Sequence, residues 1–175
     1  MRAREAKNAP FARSRRGEER GASLVEFAII MPLLLLLIFS VFEFGRLVAT
    51  HIALNTAARE GARFGTTIGD RNLDDVPNFA DCAEIREVAK QRAVMANLED
   101  GDIRIFFDQG EGTAVYADCQ GGPAPTDDVV ATGDRIRVVV SRPFSSTIPL
   151  IGGLLNGIEF EAEQSRTIFR TIVDE

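Results

Sequence analysis

The sequence has no tryptophan, one tyrosine, one histidine and two cysteines in 175 residues. Each shortage closes off a kind of chemistry. A lone His51 cannot complete a metal-ligand set, and Cys82 and Cys119 are too far apart in sequence for a CxxC redox or zinc pair. No nucleophile is arranged around His51, and neither a Walker A loop nor a dinucleotide-binding loop is present. The acidic pairs Asp74-Asp75 and Asp127-Asp128 do not fit the EF-hand calcium loop and read as solvated loop charges. No catalytic residue, cofactor-binding residue or metal ligand is indicated, and no small-molecule substrate.

Positive charge is also scarce, but unevenly so. The net charge is −6, yet residues 1–21 hold seven Lys/Arg against three Glu, and the remainder holds thirteen against twenty-three acidic residues. The large acidic part would repel phosphates, which argues against nucleic acid as a partner. A basic head, an apolar run and an acidic body point instead to a membrane.

Charge vanishes altogether between Glu26 and Glu43, where Phe27–Phe42 is sixteen residues long with Ser40 its one polar member. As a helix this run covers about 24 Å, a little less than the roughly 30 Å of a hydrocarbon core. Ala22–Val25 before it and Phe44, Leu47 and Val48 after it extend it enough to span. Arg2, Arg4, Lys7, Arg13, Arg15, Arg16 and Arg20 should hold the N-terminus in the cytoplasm, leaving the body outside. Pro32 should kink the helix, which a membrane tolerates. A cleaved secretory signal is the competing reading; no A-x-A site follows the run, and helix-compatible sequence continues directly after it.

That continuation carries Gly45, Ala49, Ala53, Ala57, Gly61 and Gly65, a small residue at every fourth position. On one helix from about Ala22 to Thr66 they make a seam that another helix can approach closely. The seam serves either this protein's own C-terminal domain or neighbouring subunits, and both uses fit along different stretches. Cys82 and Cys119 both follow the apolar run, so on an extracytoplasmic side a disulfide is expected. It would be worth about 3–4 kcal/mol by loop entropy; two unrelated reduced thiols are the alternative.

A basic head, Gly21, four residues, then Glu26-Phe27 and an apolar helix resembles the type IV prepilin class. The longer string "GASLVEFAIIMPLLLLLIFSVFEFGRL" followed by "NTAAREGARFG" resembles the TadE-like family of tight-adherence (Tad/Flp) pilus proteins. The matching residues are Gly21, Val25-Glu26-Phe27, Pro32, Glu43-Phe44-Gly45-Arg46 and Asn55 through Arg63, within residues 20–65. The resemblance implies a minor pilin or pseudopilin in a bacterial inner (plasma) membrane. A prepilin peptidase would cut it between Gly21 and Ala22, and its other partners would be Tad pilins and pilus assembly proteins. It also implies that Glu26 pairs with the new N-terminal amine of a neighbouring subunit. A plain helix-start glutamate, favoured by the dipole, is the simpler role and is compatible with that one. A permanently anchored extracytoplasmic scaffold or binding protein, neither processed nor polymerised, is the alternative function.

Glu43 and Arg46 are spaced to pair on one helix face, as are Arg59, Glu60 and Arg63. After Gly65 a polar, turn-rich stretch leads to "ADCAEIREVAKQRAVMANLEDG", which reads as a helix with Asp81 as N-cap and Gly101 as stop. Its inner stripe would be Cys82, Ile85, Val88, Ala89, Arg92 and Ala96. Strand signals follow at 102–108, 113–118, 134–142 and from 158 on, the last losing phase near Gln164–Arg166 as if at a bulge. Between the last two runs "PFSSTIPLIGGLLNG", with Ile148, Leu150, Ile151, Leu154 and Leu155, is either a short helix closing the core or an exposed contact patch.

The expected fold is α+β and pilin-like in outline: a long transmembrane helix continuing outside the membrane, a second helix and an antiparallel sheet. The expected divisions are a leader (1–21), a membrane segment (22–48), a helix extension (49–66) and an extracytoplasmic domain (67–175).

Overall fold

The computed structural model describes residues 16–71, 73–122, 125–126, 128–148, 152–153 and 155–169, with side chains from Gly21 onward. The basic N-terminal residues through Arg15, Asp127, the loop residues Leu150, Ile151 and Leu154, and the residues after Phe169 lie outside them. Two compact units divide the chain, Met1–Val41 and Phe42–Glu175.

Helix α1 runs Arg16–Gly65, fifty residues, with Pro32 inside it. It ends at the expected place but begins six residues earlier than Ala22, because Arg16–Arg20 is itself rich in helix formers. In the first unit its apolar side chains are bare: Leu24, Phe27, Ile29, Leu33 and Leu37 are all more than half exposed. The stretch Gly21–Gly65 contains a window of mean hydropathy 2.7, long and apolar enough to cross a membrane.

In the second unit the same helix becomes a core element. Leu54, Ala57, Ala58 and Ala62 are fully buried. They join Ile85 and Ala89 of α2 (Cys82–Arg92) and the inward residues of a sheet. That sheet is antiparallel in the order β2-β1-β3-β4. Its strands are β1 (Ile103–Asp108), β2 (Ala117–Asp118), β3 (Arg135–Pro143) and β4 (Glu159–Thr167). The α+β arrangement is as expected. Ile103, Ile105 and Phe107 pair in register with Val140, Val138 and Ile136, and all six are buried, so strand alternation sets the inward face. The outward face is polar: Arg104 bonds Glu161 at 2.9 Å, and the Arg137 guanidinium stands 5.2 Å over the Phe106 ring.

Two local expectations are corrected. Helix α2 stops at Arg92 instead of running to Gly101, and 3-10 turns at Val94–Ala96 and Asp100–Asp102 follow it. Breaking the helix there buries Ala93, Ala96 and Leu98 together; Arg92, expected on the inner stripe, is exposed. Nor does β4 contain a bulge: its pairing with β3 is unbroken from Arg135↔Thr167 to Pro143↔Glu159. Gln164 and Arg166 keep the parity of buried Ala162 and Ile168, and an edge strand tolerates their polarity.

Candidate functional site

The candidate site lies along α1. Gly21 has open space around its α-carbon, and Ala22, Glu26 and Phe27 are exposed. Gly21 lies inside the helix, one turn before Glu26.

The "EFGR" motif has a partner that its spacing did not disclose. Glu43 is 2% exposed, the most buried residue at the end of the apolar run. Its carboxylate accepts from Arg46 at 3.3 Å, the pairing expected from their spacing, and also from the backbone N–H of Thr147 at 3.1 Å. Arg46 continues the bridge: it donates to the Ser145 carbonyl at 3.1 Å and to the Thr147 hydroxyl, and it lies 5.5 Å over the Phe144 ring. Phe144 meets Phe160 edge-on at 6.1 Å, and Phe160 meets His51 at 5.8 Å. Glu43, Arg46 and His51 of α1 thus fasten the β3–β4 connection and the start of β4 to that helix. The charge-free character of 143–158 was the sequence signal for this contact, though not for its partner.

The small-residue seam is split in use. At Gly61 a Cβ would meet Ala89 and Val138 at 3.4 Å, and at Gly65 it would collide with Ile136 Cδ1. These glycines and buried Ala57 let α1 lie close on α2 and β3. Gly45, by contrast, has nothing within 4 Å, and Ala49 and Ala53 are only half-buried. The latter two line an open, mostly apolar groove of about 370 Å³ with Ile52, Val94 and Met95.

Cys82 and Cys119 form a disulfide across 37 positions, with Cα atoms 5.9 Å apart. It ties the first turn of α2 to the end of β2. Asp81 caps that turn by accepting from the Glu84 N–H at 2.9 Å, as expected, and Arg86 donates to the Cys119 carbonyl at 2.6 Å. Asp118, beside the bridge, accepts from the Gln120 and Gly122 N–H groups at 2.7 and 2.9 Å. These bonds, Gly122's foremost, hold its carboxyl below the ordinary carboxylate value.

A second polar cluster escaped sequence reading. Asp108, 1% exposed, accepts from Arg135 at 2.7 and 3.1 Å, with Arg137 at 3.7 Å. Nearby, Tyr116 donates to Asp134 at 2.7 Å; burial and then this bond push the phenol well above its ordinary value. The cluster joins the β1–β2 and β2–β3 loops at one end of the sheet. Elsewhere Arg63 pairs with Glu60 at 3.3 Å, on a solvated face of α1.

Neither the curated proteins nor the solved structures give a match to this chain. Residues 21–63 match the family model described as TadE-like protein, the stretch that holds Gly21, Glu26 and the Glu43–Arg46 anchor.

Proposed function

We propose that this protein acts in the assembly of a Tad pilus as a minor pilin or pseudopilin. It enters the inner membrane with its N-terminus cytoplasmic and its C-terminal unit outside, and a prepilin peptidase cuts it after Gly21. The observation that carries this reading is the TadE-like match over 21–63, coinciding with a helix whose apolar face is bare. Glu26 then carries a charge into a low-dielectric setting, where it is tolerable only beside an opposite charge such as a neighbour's N-terminal amine. Gly45 and Ala49, which lie outside the protein's own core cluster, are the seam residues we assign to close approach by another subunit's helix, with Ala53 at the border where the seam meets that core.

The test is the N-terminus of the protein from its native membrane, measured by mass spectrometry with and without the peptidase. A start at Ala22 that disappears without the enzyme is the expected result. A persistent Met1 start would overturn processing and leave the second reading, a permanently anchored scaffold. One observation favours that second reading: Gly21 sits within helical backbone, which cleavage would have to unwind. Glycine in a helix interior costs about 1 kcal/mol, so the unwinding is easy at this position.

A further inference from the structure

The two longest charge-free stretches of the chain are Phe27–Phe42 and Pro143–Ile158, each sixteen residues in a sequence that is 26% charged. The structure ties the second to the residue that ends the first. Thr147 donates its N–H to Glu43, and Arg46, one helical turn on, holds Ser145 and Thr147. If residues 27–42 lie in a bilayer, Glu43 and Arg46 stand at its surface, and whatever they hold stands there too.

We infer that the β3–β4 connection, in its described residues 144–148, 152–153 and 155–158, seats in the membrane interface at the C-terminal end of the span. This rests on reading α1 as membrane-spanning. The connection is suited to that medium in three ways. It carries no charge to desolvate between Arg142 and Glu159. Described backbone groups within it bond one another: the Gly152 N–H donates to Ile148 and the Asn156 N–H to Gly152 at 2.8 Å in helical fashion, the Phe144 N–H donates to Ile158 at 2.8 Å, and the Asn156 side-chain oxygen accepts from the Ser146 N–H at 2.7 Å. Of its described apolar side chains Phe144 is buried, but Ile148 and Leu155 are only half-buried and Ile158 is 38% exposed. Small polar groups (Ser145, Thr147, Asn156) at the same level suit the headgroup layer. The occupant we assign is therefore lipid, by continuity with the span, and the connection would act as a second foot that fixes how the outer unit stands on the membrane.

Depth-dependent quenching tests this on the full chain in phosphatidylcholine/phosphatidylglycerol vesicles. An environment-sensitive fluorophore goes on Gly153→Cys, where an added Cβ meets nothing within 4 Å. The same label goes on Leu37→Cys in the run and on Glu111→Cys in the turn after β1, beyond the far end of the sheet from the connection. Labelling without reductant spares the native disulfide. Shallow spin-labelled lipid should quench the Gly153 probe several-fold more than the Glu111 probe, while deep spin-labelled lipid quenches Leu37. Quenching at Leu37 with Gly153 no brighter in loss than Glu111 overturns the inference and leaves the span standing. Absence of quenching at Leu37 overturns the span itself, and the seat with it.

Discussion

Glu43 was legible as half of an intrahelical pair, because Arg46 follows at helical spacing. Its second partner, the Thr147 N–H, was not, since no local pattern encodes a contact across 104 positions. Removing the carboxylate leaves that N–H and a partly exposed guanidinium without their acceptor. Glu43→Ala should cost about 1–2 kcal/mol, discounted for the solvent that Arg46 retains, and should speed hydrogen exchange at Thr147 without affecting β1. The seam behaves likewise. Its spacing was plain, but which glycines meet the protein's own core depends on where the sheet lies. Gly65→Ala forces Ile136 to move in a packed interior and should cost about 1–3 kcal/mol in chemical denaturation. Gly45→Leu should leave that stability unchanged while blocking entry into filaments, if the outer seam packs subunits. Asp118 supplies a pH signature. Its folded value lies below the unfolded one, so its stabilising contribution is present above the ordinary carboxylate range and is lost as pH falls through the lowered value. The amide shifts of Gln120 and Gly122 should titrate together with a midpoint below that range.

Among elements, those that alternation or capping defines were readable in advance: β1 from Ile103, Ile105 and Phe107, and the start of α2 from Asp81. Their ends were less so. Helix α2 stops at Arg92 because the core takes up Ala93 in place of another helical turn, a tertiary choice that propensity cannot register. The Asp108–Arg135 pair was hidden for a related reason, as both residues look like outward strand charges until the β1 turn folds over them. The Cys82–Cys119 bridge joins α2 to the end of β2, which are otherwise linked by the core and by the Arg86 bond to the Cys119 carbonyl. Replacing both cysteines by serine should lower stability by about 3–4 kcal/mol, measured in urea. The loss should begin in α2 and β2, as local hydrogen exchange would report, and spare the β3–β4 pairing.

At the scale of the whole molecule, the unit Phe42–Glu175 possesses its own core, including the last third of α1. A fragment of residues 42–175 should therefore fold cooperatively and melt within a few degrees of the detergent-solubilised full chain; a broad, non-cooperative melt would show that the first unit is needed for folding. The same feature has a mechanical side. Leu54, Ala57, Ala58, Gly61 and Ala62 are pressed between α2 and the sheet, so tension entering along α1 reaches β3 as shear over a broad apolar face. Such a joint resists pulling by sliding many contacts at once, where a loop tether would yield bond by bond. A part attached in this way can be pushed or drawn through its helix without its head coming loose.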